Sequence, residues 1–379
     1  MSKNILPMIN SINILNNKIT NITSKIKFGW LYDENEFNYA NATTIPMLNN
    51  VLIKTNLNNV LEPIIIKWSL SYDTELKEAL NNKEIKYYLH SFGSTKTQYL
   101  QTNFFVKYPN IKIFNTYSTS ETLNNRFNLL RFFSNDGTLM KLIKEYLRDP
   151  YETNTDQTAT MKYIILTDEN YTNDNPVYVN SYVNLLKKNL NIINVSNEQI
   201  YELTFQQIQN NNSLLLNLLN NPTSSVLFYI ASTIEPIVTI LRNNDIKVGF
   251  YASDALRPEL SSEQTINYLL NMFNILPNYP QYRITNSFYD YVFVQEVGNG
   301  DILAESMRNM VSFIIYDYIA NPSIDEYWLD QRYFINKDSM IPGFTLSRII
   351  NSGVLLRTKA CIITDLYLNY GGYINFKQL

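Results

Sequence analysis

IKYYLHSFGSTKTQYLQTNFFVK, residues 85–107, reads as a short apolar strand (Ile85–His90), a Gly/Ser/Thr turn and a helix (Thr95–Lys107). A strand that breaks on small hydroxyl residues and runs straight into a helix is half of a βαβ unit. The same grammar precedes it. Ile26–Tyr32 is a strand before a helix at Ile45–Thr55, and Glu62–Trp68 is a strand before a helix at Thr74–Asn82, whose Leu76, Ala79 and Leu80 share one face. It continues with strands Ile111–Asn115 and Asn128–Phe133 and a helix at Gly137–Arg148. After the polar loop 149–160 a second run begins: strand Met161–Leu166, helix Val177–Asn189, polar helix Thr204–Asn220, strand Ser225–Ile230, helix Glu235–Asn243 and strand Ile246–Tyr251. Residues 255–290 are less regular, broken by Pro258, Pro277 and Pro280. Further pieces are a strand at Tyr291–Val294, helices at Asp301–Ala320 and Ser323–Phe334, and strand-like segments near 353–357, 361–368 and 373–376.

Alternation at this spacing predicts parallel sheets covered by helices on both faces. At 379 residues the chain is too long for one ordinary core. The expectation is therefore an α/β protein of two three-layer αβα Rossmann-like lobes with parallel sheets, joined by a multi-strand hinge. An N-terminal arm spans 1–25, lobe 1 is discontinuous (26–132 and 291–379), and lobe 2 is 133–290. Hinged lobes suit closure around a ligand.

Composition narrows the function. The net charge of −3, from 31 basic and 34 acidic residues, comes with no Lys/Arg block, so nucleic acid and anionic membranes are disfavoured as partners. One cysteine, Cys361, precludes an intrachain disulfide, and with a single histidine, His90, no zinc site of several Cys or His can be built. No metal and no cofactor is expected, since P-loop, dinucleotide, nucleophile-elbow and zincin motifs are all missing. The acidic pairs Glu34/Glu36 and Asp168/Glu169 are read most simply as solvated loops rather than a catalytic carboxylate pair. Residues 1–25 alternate apolar and polar residues with no signal-peptide core, and no run reaches the length of a membrane span. The reading is a protein without membrane insertion, cytoplasmic, or in a virion if the source is viral. Abundant Asn and Ile, 29 Tyr and only 10 Gly point to an AT-rich genome.

Against that background Tyr88–Thr95 (YLHSFGST), Ile113–Ser120 (IFNTYSTS), Leu130–Asp136 (LRFFSND), Ile164–Tyr171 (IILTDENY), Phe228–Thr233 (FYIAST) and Val248–Asp254 (VGFYASD) form an ordered set of strands ending in small polar residues. In that order and spacing the chain resembles the type I periplasmic-binding-protein fold, especially branched-chain amino-acid receptors and related extracellular ligand-binding domains. The resemblance implies a non-catalytic protein that closes an inter-lobe cleft on an amino-acid-like or small polar metabolite. It places Ser91, Ser94, Thr95, Ser118 and Thr119 at the carboxylate and amine of such a ligand. Asp136 stands opposite an ammonium, and Tyr171, Ser232 and Asp254 come from the second lobe.

Each position also has a structural reading. Ser94 or Thr95 can simply cap the following helix, as can Ser120 and Asp136. Tyr171 can be one tyrosine among many, Asp254 a turn residue and His90 a satisfied strand-end residue. Phe92 and Tyr117 stand where the family carries small residues, and Ser232 or Thr233 where it often carries an aromatic. These departures motivate an alternative, a degenerate cleft whose fold serves as a structural, assembly or protein-interaction component, with homo-oligomerisation left open.

Overall fold

The computed structural model describes residues 22, 24–36, 44–54, 57–115, 118–123, 129–131, 136, 161–219, 225–246, 248–253, 255, 283–287, 310–311, 314–315, 318, 344–349, 355–365 and 375–378. The predicted helices at 137–148 and 323–334 and the strand at 291–294 lie outside these residues, as does most of the helix predicted at 301–320, whose residues 310, 311, 314, 315 and 318 are helical.

Strands β1 (Ile26–Asp33), β2 (Leu61–Trp68), β3 (Tyr87–His90), β4 (Lys112–Asn115) and β5 (Leu129–Arg131) form one sheet in the order β2-β1-β3-β4-β5, parallel throughout. Helices α1 (Ile45–Lys54), α2 (Thr74–Asn81) and α3 (Ser94–Asn103) connect its first four strands. The second sheet holds β6 (Lys162–Thr167), β7 (Ile200–Thr204), β8 (Ser225–Ile230), β9 (Gly249–Ala252), β10 (Arg283–Ser287), β11 (Phe344–Ile349), β12 (Leu355–Asp365) and β13 (Asn375–Gln378). Its parallel part, β7-β6-β8-β9-β10, repeats the order of the first sheet, so the strand order turns back between β1 and β3 in one and between β6 and β8 in the other. Between β6 and β9 the chain forms α4 (Glu169–Asp174), α5 (Pro176–Ile192), α6 (Phe205–Asn210), α7 (Ser213–Leu218) and α8 (Glu235–Asn243).

Two expectations change. The strands after residue 344 do not return to the first sheet: they extend the second, antiparallel, from β10 to β13. The polar helix expected over 204–220 is two short helices, because Asn211 leaves helical backbone (φ −150°) where α6 ends.

Residues alternate between the faces of the first sheet and of β6 and β8, and both faces are covered there, as parallel strands require. Phe28, Trp30, Leu89 and Phe114 of the first sheet and Tyr163, Ile165, Val226 and Phe228 of the second belong to one continuous buried cluster. Leu48 and Leu52 of α1, Tyr182, Leu186 and Leu190 of α5, and Met310 and Ile314 complete it. On the outer face of the first sheet Leu31, Trp68, Tyr88 and Ile113 pack under α2 and α3; on that of the second, Ile164, Leu227 and Tyr229 pack under α6, α7 and α8. Each such side chain contributes roughly 1.5–3 kcal/mol when fully buried.

Both long helices of the second half end without glycine. Asn194 (φ 66°) and Asp245 (φ 50°) take the left-handed position after α5 and α8. Val195 N–H then reaches back to Leu190 O at 3.1 Å, and Ile246 N–H to Leu241 O at 2.9 Å. Asn and Asp tolerate this conformation better than other residues with a side chain.

Candidate functional site at the carboxyl ends of the strands

β3 and β4 end level with each other, so His90 and Asn115 are register partners. Both are fully buried, and the two ends are tied by side chains. Asn115 Nδ2 donates to Phe92 O at 2.9 Å and to His90 Nδ1 at 3.0 Å, while its Oδ1 accepts the Ser118 N–H at 2.6 Å. Ser118 Oγ donates to Phe92 O at 2.9 Å and pairs with Thr97 Oγ1 at 2.6 Å. Because Nδ1 of His90 accepts, its proton sits on Nε2, which is buried and has no hydrogen-bond partner among the described residues. Burial holds the ring neutral, pushing its pKa down to about 3. Protonating Nδ1 would also set it against the Asn115 amide donor.

Thr119 and Asp136 meet where Asp136 N–H donates to Thr119 O at 2.9 Å; the Asp136 side chain is completely buried. Ser120 N–H donates to Ser94 Oγ at 3.1 Å, and Ser120 Oγ caps the turn Glu121–Leu123 through Thr122 N–H at 3.2 Å. Ser94, Ser118, Thr119 and Asp136 are therefore gathered at one end of the first sheet. Ser91 is half-buried beside them.

Neither Ser94 nor Thr95 caps α3. Gly93 is its N-cap residue, with no side-chain bond. Thr95 turns outward instead, and its Oγ1 accepts the Val177 N–H of α5 at 3.2 Å. Gly93 faces Asn175, the N-cap of α5: a Cβ on Gly93 would lie 4.0 Å from Asn175 Oδ1. The amino ends of α3 and α5 thus abut, one following the first sheet's β3 and the other near the end of the second sheet's β6. Exposed N–H groups and the helix dipole make such ends favourable to an anion.

On the second-sheet side Asp168 Oδ1 accepts the Tyr171 N–H at 2.8 Å and caps α4. Tyr171 lies edge-on to Tyr178, ring centroids 6.2 Å apart, against the shared core. Ser232 and Thr233 are half-buried at the end of β8. Asp254 and Tyr117 lie outside the described residues.

Phe92 packs on the outer face of the sheet, 5.3 Å from Trp68 and 5.1 Å from His90 between ring centroids. The sequence reading did not single out Asn115, Thr97, Asn175 or the ion pair of Asp33 with Lys96. Asn115 had one usable signal, a polar residue closing an apolar strand next to His90.

No protein-family model and no curated protein sequence matches the chain. Solved structures do match in three dimensions. An ABC transporter substrate-binding protein from Desulfitobacterium hafniense superposes with a TM-score of 0.53 at 11% identity, over 94% of this chain and 100% of that one. A branched-chain amino acid transporter substrate-binding protein from Streptococcus pneumoniae, in complex with isoleucine, gives 0.51 at 12%, over 94% and 99%. A solute-binding protein from R. palustris, in complex with benzoate, gives 0.53 at 11%, over 88% and 96%. With this strand order, these parallel sheets and these neighbours, the chain has the type I periplasmic-binding-protein fold.

Proposed function

We propose that the chain is a non-catalytic binding protein for a small, amino-acid-like carboxylate, held at the carboxyl ends of its two sheets. The observation that carries this is the meeting of α3 and α5, with Thr95 Oγ1 on the Val177 N–H and Gly93 opposite Asn175. Ligands in doubly wound α/β proteins sit outside the carboxyl ends of the strands where the strand order reverses, and carboxylates are favoured at helix amino ends. Solved neighbours of the same fold are described with leucine, isoleucine and benzoate, which share a carboxylate. In this reading the carboxylate takes the Thr95 hydroxyl and the first N–H groups of α3. Ser91, Ser94, Ser118 and Thr119 shape the pocket, Asp136 faces an ammonium, and Tyr171, Ser232 and Asp254 close from the second half by hinge motion.

The test is thermal unfolding of the full chain across a panel of amino acids and simple carboxylates. A ligand at about 100 times its Kd stabilises by roughly 2.7 kcal/mol, and Thr95→Val should reduce that response. No shift for any member of the panel removes the proposal.

A second reading, in which the fold serves as an interaction component, draws on one observation. The Ser94 and Ser118 hydroxyls already bond the protein's own groups. Self-association on sizing together with a silent ligand panel would favour it.

A further inference from the structure

In the first sheet the order reverses between β1 and β3, and an ion pair crosses that reversal. Asp33 is the last residue of β1, and Lys96 lies in the first turn of α3, 63 residues on. β1 leads into α1 on the inner face, whereas β3 leads into α3 on the outer face, so the pair joins the two lips of the crevice. Asp33 Oδ2 takes the Lys96 ammonium, and Asp33 Oδ1 accepts the Asn35 N–H at 2.9 Å. The Asp33 side chain is only 2% exposed, against 38% for Lys96. The pairs Lys27–Glu84, Lys67–Glu75, Lys77–Asp73 and Lys187–Glu202 differ, since both partners keep about a third or more of the side chain in water. Such solvated pairs contribute little, while a desolvated carboxylate depends on its cation. Lys96 has its own need for a partner. A cation in the first turn of a helix opposes the helix dipole, and an anion close by offsets the cost.

We propose that Asp33 is the resident counter-ion of Lys96, and that Lys96 selects an anionic ligand whose carboxylate displaces Asp33. Lys96 stays paired whether the crevice is filled or not; Asp33 then keeps only the Asn35 N–H, a cost the ligand carboxylate must outweigh, and uncharged or cationic molecules, unable to replace Asp33, are turned away. This rests on reading the crevice as a small-carboxylate site.

Succinate, with neutral succinamide as control, serves as the probe at constant ionic strength, read by the unfolding midpoint of the full chain. Asp33→Asn keeps the acceptor for Asn35 and frees Lys96. It should show the same shift of the unfolding midpoint at about tenfold lower succinate, or lower still, than the unmodified protein, since no internal carboxylate then competes for Lys96. Lys96→Met and the double variant should be silent, and succinamide should stabilise none of the four proteins. The proposal is overturned if Asp33→Asn responds no more strongly than the unmodified chain, or if the double variant keeps the response. An unmodified chain silent to every carboxylate, beside an Asp33→Asn response that needs Lys96, would overturn the displacement and the carboxylate-binding reading together, whereas a parent response unchanged in Asp33→Asn overturns the displacement alone. Asp33→Ser provides the same comparison should Asp33→Asn fail to fold.

Discussion

Thr95 caps a helix that is not its own: its Oγ1 accepts the N–H of Val177, 82 residues later, in the second position of α5. The first N–H groups of any helix lack internal partners, and the Asn175 side chain leaves this one unmet by donating to Tyr171 O. Thr95→Val removes the acceptor at nearly constant shape. It should cost about 0.5–2 kcal/mol in urea unfolding, with Thr95→Ser restoring most of it. A Val variant as stable as the parent would mean that water serves Val177 equally well.

Asn115 carries the heaviest hydrogen-bond load at the strand ends, serving His90, Phe92 and Ser118. Asn115→Leu removes the acceptor of the Ser118 N–H and leaves His90 Nδ1 only the Phe92 N–H at 3.4 Å, while Phe92 O keeps Ser118 and Thr97; it should destabilise by about 2–3 kcal/mol, whereas Ser118→Ala should cost about 1–3 kcal/mol. Chemical denaturation of the two variants checks the order of the effects.

His90 makes stability depend on pH. Its folded pKa of about 3 lies below the ordinary value near 6.5, so acid favours the unfolded chain, which binds the proton first. The stability tied to neutral His90 is complete above about pH 6.5 and is lost as pH falls from there toward 3, by up to roughly 1.4 kcal/mol per pH unit. Because His90 is the one histidine, the difference between the parent and His90→Gln isolates its contribution. Parallel stability–pH curves for the two proteins between pH 7 and pH 4 would refute this assignment.

Two glycines should behave oppositely. A Cβ on Gly29 would lie 2.7 Å from Ile66 Cδ1 and 2.8 Å from Tyr88 Cδ1, and Tyr88 is fixed by its hydroxyl on Ala79 O at 2.8 Å. Gly29→Ala should therefore cost about 1–3 kcal/mol. Gly93, at φ −64° with Asn175 at 4.0 Å, has room, and in Gly93→Ala the poorer N-cap is offset by the stiffer unfolded chain, so stability should change by less than about 1 kcal/mol. Melting temperatures of the two variants settle the contrast.

The fold was legible wherever an apolar run met a clear stop. β8 and α8 fall on their predicted boundaries, because Ser225–Ile230 is buried on both faces and Glu235–Asn243 has a regular apolar stripe. β7 went unread because its five residues sit at a sheet edge with Glu202 in solvent. β10 has no two-residue alternation, and in β11 the alternation runs over only Phe344, Thr345, Leu346 and Ser347. The left-handed ends of α5 and α8 carried no glycine signal, being made by Asn194 and Asp245. At the candidate site, the clustering of Ser94, Ser118, Thr119 and Asp136 follows from parallel topology, which collects strand ends on one side. Their bonding partners did not follow: Thr95 with Val177 and Asp33 with Lys96 join residues that no local pattern relates. Local rules assigned Ser94 and Thr95 to their own helix, and tertiary contacts assigned them elsewhere.

The apolar body that takes in the inner faces of both sheets bears on how the molecule comes apart. Losing either sheet would strand the other with Trp30 and Leu89, or Tyr163 and Phe228, against water. Each half keeps an outer cluster of its own but would expose this shared face, so a protease that nicks between them should release fragments less stable than the intact chain.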